Sequence, residues 1–254
     1  MKSWLRLLAA AMVLASSSVL PAFVDADQID TAIANEHRTD TDRKRDAQSK
    51  PKVILALLDL EPGDAVIDMF GGGGYFAELM AGVVGPKGAV VLQNNYGFAK
   101  WVDKYLQERY IDNEVPPITV LRSEAEDLML EPASFDAALM SMCYHDLYSY
   151  NPEAGFRHTD VPAFFAQLHS ALKPGGKLLV IDHVAADGSG NSLTDALHRV
   201  DEEFAKQDIE GNGFKLVATS DALRNPDDPR TAKPFDPSIY RKTDRFIMLF
   251  ERQE

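Results

Sequence analysis

Asp68-Met69-Phe70-Gly71-Gly72-Gly73-Gly74-Tyr75-Phe76 joins a short apolar run, residues 65–69, to a stretch of helical character, residues 77–84. Glycines between a strand and a helix let the chain turn sharply and let a ligand approach backbone amides. The expectation is a small polar or anionic molecule at the carboxyl end of the first strand of an α/β sheet.

Outward from that turn the pattern alternates. Candidate strands are 65–69, 89–93, 118–121, 137–142, 177–182, 215–220 and 245–250, with helical stretches at 77–84, 99–109, 161–172 and 192–207. Such alternation implies βαβ units: a doubly wound, mostly parallel sheet with helices on both faces. Val161-Pro162-Ala163-Phe164-Phe165-Ala166-Gln167-Leu168 places apolar residues at helical spacing and should pack on that sheet. Residues 51–254 make up this α/β domain. Residues 27–50 are polar and of mixed charge, and read as a linker passing into an N-terminal surface helix.

The 254-residue chain carries 26 Lys+Arg against 39 Asp+Glu, a net charge of −13. A nucleic-acid partner would want a basic surface, so that class is excluded. Residues 1–26 have the form of a signal peptide: Lys2 and Arg6, an apolar run over 7–20, then Val24-Asp25-Ala26 with small residues for cleavage. The protein is therefore expected to be exported, in the periplasm, with no membrane span once the segment is cut. An uncleaved anchor is the less favoured alternative, because the run falls short of the ~20 residues of a span. Cys143 is the sole cysteine, so no intrachain disulfide forms.

The glycine turn alone leaves the ligand open. Gly72, Gly74 and Ala77 satisfy the loose dinucleotide fingerprint. That fingerprint expects a carboxylate at the end of the next strand to hold a ribose. Asn94-Asn95 stand there, and asparagine binds a hydroxyl less strongly than a carboxylate does.

Three later stretches separate the alternatives. They are Ser123-Glu124-Ala125-Glu126-Asp127-Leu128, Ser134-Phe135-Asp136 and Leu172-Lys173-Pro174-Gly175-Gly176-Lys177-Leu178. With the glycine turn they resemble class I S-adenosylmethionine-dependent methyltransferases, over about residues 53–250. Tyr144-His145-Asp146-Leu147, Ile181-Asp182-His183, Leu197-His198-Arg199-Val200-Asp201 and Thr243-Asp244-Arg245-Phe246 are similar to markers of a group of exported bacterial methyltransferases. The resemblance implies a Rossmann-like seven-stranded sheet with its last strand antiparallel, and S-adenosylmethionine as cofactor. It would place Asp68 and the amides of Gly72 and Gly74 against the methionine part of the cofactor, with Tyr75 beside them. Asn94 would lie at the ribose, Glu124 and Ala125 at the adenine edge, and Ser141 beneath the sulfonium. Phe70 and Asn94 depart from the family pattern, which has a glycine and a carboxylate there.

Methyl transfer depends mainly on aligning the acceptor with the sulfonium, and needs a base only where the acceptor must lose a proton. Tyr144, His145, Asp146 and His183 follow the fourth and fifth candidate strands and are the catalytic candidates. Asp182 adjoins them, and His198 and Asp201 are expected on one face of the following helix. This cluster suits a base with its orienting carboxylate, a zinc or iron site, or a set of histidines that fix loop shape. No residue is assigned as a metal ligand. Cys143 reads as a small buried side chain, and Thr243-Asp244-Arg245 as an ion pair pinning a sheet edge, with a clamp for a substrate carboxylate as the alternative. The expected function is methyl transfer to a small-molecule acceptor. The alternatives are an exported non-catalytic binding protein on the same fold and a metal-assisted enzyme using the histidines.

Overall fold

A computed structural model describes residues 26–111, 117–153 and 155–254. The expected signal peptide lies outside these residues except for Ala26. Three helices come first: α1 (Ala26–Ala34), α2 (Asp40–Ser49) and α3 (Pro51–Leu58). Then follow β1 (Ala65–Met69), α4 (Tyr75–Val84), β2 (Ala89–Asn94), α5 (Tyr96–Leu106), β3 (Ile118–Arg122), β4 (Phe135–Ser141) and α6 (Val161–Ala171). The chain ends with β5 (Leu172–His183), α7 (Thr194–Leu197), α8 (Glu202–Gly211), β6 (Phe214–Thr219) and β7 (Arg245–Arg252).

The sheet order is β3-β2-β1-β4-β5-β7-β6. The first five strands run parallel, and β7 is antiparallel to both β5 and β6. The expected seven-stranded doubly wound sheet is therefore present. From β1 the chain steps outward to β2 and β3, then crosses back to place β4 on the other side of β1. That reversal opens a crevice at the carboxyl ends of β1 and β4.

Both faces are covered, which is why the central strands read as near-continuous apolar runs. Ile67, Met69, Met140, Val180 and Met248 meet Phe164, Phe165 and Leu168 of α6 on one face. Val66, Leu139, Leu179 and Ile247 meet α3 and α4 on the other. Asp68 interrupts the second set and points under the start of α4, a buried carboxylate in an otherwise apolar row.

Three expectations need correction. Residues 27–49 are two helices joined to the body, and no linker separates them from it. Ile29 and Ala32 of α1 are buried, and a Cβ built on Gly82 would lie 2.7 Å from that of Ala32. Polar contacts hold α2: Arg38 pairs with Asp46 at 2.6 Å and Arg109 with Asp42 at 2.5 Å. Charge fixes this segment where apolar periodicity is sparse. The single helix expected over 192–207 is broken. His198 adopts φ 52, ending α7, and Asp201 caps α8 by accepting from the Glu203 and Phe204 amides. A carboxylate that satisfies free amide groups makes a new helix start, so His198 and Asp201 do not share a helical face. Asp244 does form ion pairs, with Arg230 at 2.8 Å among others, but β7 lies inside the sheet and the pair pins no edge.

Candidate functional site

At the crevice, β1 delivers Asp68 and β4 delivers Ser141. Oδ2 of Asp68 accepts the Ala77 amide at 3.1 Å. Its Oδ1 is buried with no hydrogen-bond partner among the described residues, and so is Oγ of Ser141. Burial pushes the Asp68 carboxyl up to about 7, against the opposing Ala77 bond and the Arg45 charge. An orphaned buried oxygen is uncommon, and here two stand at neighbouring strand ends.

The glycine turn is shaped by close approach. A Cβ on Gly71 would fall 2.4 Å from Cγ of Asp68, and one on Gly74 would fall 2.6 Å from the Tyr110 hydroxyl. A Cβ on Gly72 would meet nothing within 4 Å, so what this position demands is its φ of +58. The amides expected to face a ligand are engaged within the protein. Gly72 donates to Oδ1 of Asn94 at 2.9 Å, and Gly74 donates to the Gly71 carbonyl at 3.1 Å. Asn94 completes a reciprocal pair by donating from Nδ2 to the Gly72 carbonyl at 3.0 Å. Asn94 therefore clamps the turn and, in this conformation, does not present its amide to a ribose.

Tyr75 also turns away from the crevice. Its hydroxyl donates to Asp46 at 2.7 Å, and the Arg45 guanidinium lies 4.1 Å above its ring. Sequence reasoning missed Arg45, because a helix held by charge gives little apolar periodicity to find. On the opposite side Glu124 accepts the Tyr96 amide at 3.3 Å, while Ala125 is buried in the cluster that holds Phe70 and Phe164. Phe70 takes φ 48 and stacks on Phe98 and Phe164, each at 5.9 Å. The residue that replaces a glycine thus supplies an aromatic wall beside the expected adenine edge.

A second group begins one turn beyond β4. Asp182, at the end of β5, accepts the His145 amide at 2.8 Å and the His183 amide at 2.7 Å. Its Oδ1 lies 2.8 Å from Nδ1 of His145. The far nitrogen, Nε2, stands 3.3 Å from Nδ1 of His198 and 3.4 Å from Oδ1 of Asp146, and these last two are 4.0 Å apart. Burial would lower the His145 pKa, but Asp146 and Asp182 outweigh it and raise it to about 9. Burial and the His145 charge push His198 down to about 4. Burial raises Asp146 to about 6.

The other catalytic candidates lie apart. Tyr144 is fully buried, packs against Phe165 and donates to Asp208 at 2.6 Å, so its ring belongs to the core. His183 is buried with Nδ1 at 2.7 Å from the Thr243 hydroxyl, and burial lowers it to about 3. It stays neutral and outside the His145 group. Cys143 donates to the Met69 carbonyl at 3.3 Å, and burial raises its thiol well above the ordinary range, as suits a packing residue.

Residues 68–180 match the sequence pattern of the family described as "Methyltransferase domain". The ubiquinone/menaquinone biosynthesis C-methyltransferase UbiE of Teredinibacter turnerae is 28% identical over 134 residues, 52% of this chain and 47% of that protein. The Shewanella baltica protein of the same name is 32% identical over 133 residues, again 52% and 47%. The chain thus spans about half the length of the curated relatives it matches. A solved S-adenosylmethionine-dependent methyltransferase from Aquifex aeolicus superposes with a TM-score of 0.58 at 17% identity, covering 90% of this chain and 98% of that one. That likeness reports the fold. Residues 68–180 are thus a methyltransferase domain of the S-adenosylmethionine-dependent class, set within the seven-stranded sheet of that fold.

Proposed function

We propose that this protein transfers the methyl group of S-adenosylmethionine to a small-molecule acceptor. The observation that carries this reading is the pair of buried, unpartnered oxygens, Asp68 Oδ1 and Ser141 Oγ, at the switch point of the sheet. An orphaned carboxylate oxygen beside an orphaned hydroxyl fits the methionine end of the cofactor, which offers ammonium donors and a sulfonium charge. When bound, the cofactor supplies an electrophilic methyl group. Asp68 would bind the cationic end, Phe70 and Ala125 would exclude water, and the Glu124 backbone would border the base.

The acceptor side is the wall of His145, Asp146 and His198. Asp182 holds His145 from behind, so the wall is rigid and can take up charge or a proton from an acidic group of the acceptor. The acceptor itself is unassigned, because the named relatives share about half of their length with this chain.

Calorimetric titration with S-adenosylmethionine tests the reading. The wild type should bind, and Asp68→Asn should bind about 100-fold more weakly, the loss expected when one partner of a buried charge pair is truncated. Absence of heat at millimolar ligand would remove the proposal. A non-catalytic binding role is the second reading, motivated by the Asn94–Gly72 clamp that closes the turn on itself. Binding without methyl release to any acceptor pool would favour it.

Location and subgroup complete the proposal. Lys2, Arg6 and the apolar run 7–20 support export to the periplasm, and the Tyr144-His145-Asp146-Leu147 stretch supports membership of the exported bacterial group. Among the described residues no helix is long and apolar enough to cross a membrane. A reporter that is active only outside the cytoplasm, fused after residue 254, should light up. A silent fusion that is expressed would refute export.

A further inference from the structure

We propose that His145, Asp146 and His198 bind a divalent transition metal of the zinc type, with Asp182 orienting His145 from behind. The distances favour a shared ion over a hydrogen-bonded cluster. The three atoms that converge, Nε2 of His145, Nδ1 of His198 and Oδ1 of Asp146, are separated by 3.3, 3.4 and 4.0 Å. Hydrogen bonds from N–H groups run about 2.7–3.2 Å. The same His145 ring makes one on its other side, 2.8 Å to Asp182. Its Nε2 face is therefore loose by comparison.

A metal explains that spacing. Ligand atoms at ~2.0–2.1 Å around tetrahedral zinc are separated by about 3.3–3.4 Å. Two of the three separations here match that spacing; the point equidistant from the three atoms in their own plane lies about 2.1 Å from each, and a small approach of His198 and Asp146 from 4.0 Å gives tetrahedral angles.

The surroundings have the second layer such sites require. A metal-bound imidazole commonly gives its remaining N–H to a carboxylate, which fixes its tautomer. Asp182 fills that role, and its own oxygens are held by the His145 and His183 amides. Once the ion displaces the His145 Nε2 proton, two imidazoles and one carboxylate are a donor set suited to zinc with one position left open. The side chain of His198 is 29% exposed against 4% for His145, so the open position faces out on the His198 side. His198 is brought there by a left-handed turn at φ 52.

The site itself stands on these side chains. Its role, offering an open position to an anionic oxygen or sulfur of the acceptor, rests on the methyl-transfer reading. Chelator-treated full-length protein should be titrated without S-adenosylmethionine, by calorimetry with Zn²⁺ and by visible absorption with Co²⁺. One equivalent should bind, with the intense visible bands of four-coordinate cobalt. His198→Ala should weaken binding at least 100-fold, and Asp182→Asn about 10- to 100-fold. Joint replacement of the exposed His37 and His158 by Gln should leave it unchanged. No saturable binding to the wild type overturns the proposal whatever the variants do, as does full binding by a folded His198→Ala protein. Because no cofactor is present, such a failure leaves the methyl-transfer reading standing.

Discussion

The glycine turn after β1 and the histidine group beyond β4 occupy neighbouring strand ends and are assembled in opposite ways. The turn is local: Asp68, the glycines and Asn94 lie within 27 consecutive residues, and their hydrogen bonds close on one another. The histidine group draws His145, Asp182 and His198 from three separate segments and depends on everything that positions those segments. A local device survives changes elsewhere in the chain, whereas a convergent one inherits the stability of its supports.

The most severe way to test that contrast is to remove a support. Arg199, next to His198, is fully buried, pairs with Asp228 at 2.8 Å and donates to the Val184 and Ala232 carbonyls. Arg199→Ala should cost about 3–5 kcal/mol, since it leaves Asp228 as a buried charge without its partner. Urea unfolding reads the loss. Below the new midpoint the variant should still bind S-adenosylmethionine at the turn while losing affinity for metal at His198. Equal losses at both places would show that they form one unit.

A smaller effect distinguishes the two by pH. The Asp68 carboxyl stands at about 7 in the folded chain, above its ordinary 3.8, because burial disfavours its charge. Between those values the folded chain holds a proton that the unfolded chain has released. Its contribution to stability is thus whole below about pH 4 and is lost as the pH rises through about 7. Asp68→Asn should flatten that fall. A cationic ligand needs the ionised carboxylate, so wild-type affinity for S-adenosylmethionine should weaken by up to roughly tenfold per unit below pH 7. Binding that ignores pH between 5 and 8 would place the cation elsewhere.

The contrast also explains what could be read from the chain alone. The strands, their order of appearance and the ligand-bearing turn follow from apolar period and glycine placement, which are properties of short windows. Asp68 and Ser141 are recoverable because a strand end is a position in sequence. The Asp182–His145–His198 convergence is not, since it needs the left-handed residue that ends α7 and the Asp201 cap that starts α8. Arg45 was missed for a related reason. It sits on α2, whose helix is stabilised by ion pairs to Arg38 and Arg109 rather than by an apolar stripe. Tyr144 shows the reverse error, as a polar residue in a motif-like position whose hydroxyl serves the core through Asp208.

The mildest change probes the turn itself. If Gly72 kept space open for a ligand, any side chain there would abolish binding. Toward the protein there is room: an added Cβ meets no protein atom within 4 Å, and the Gly72 amide already serves Asn94 rather than a ligand. What remains is the φ of +58, which costs a residue other than glycine about 1–2 kcal/mol. Gly72→Ala should therefore lower stability by about that amount and leave the affinity for S-adenosylmethionine within a few-fold of wild type. Thermal unfolding and calorimetry on the same sample measure both. If affinity collapses while stability holds, the Asn94 clamp must open on binding and the Gly72 amide must turn to the ligand. The turn would then be a moving part, and its likeness to the convergent histidine group would be greater than its local wiring suggests.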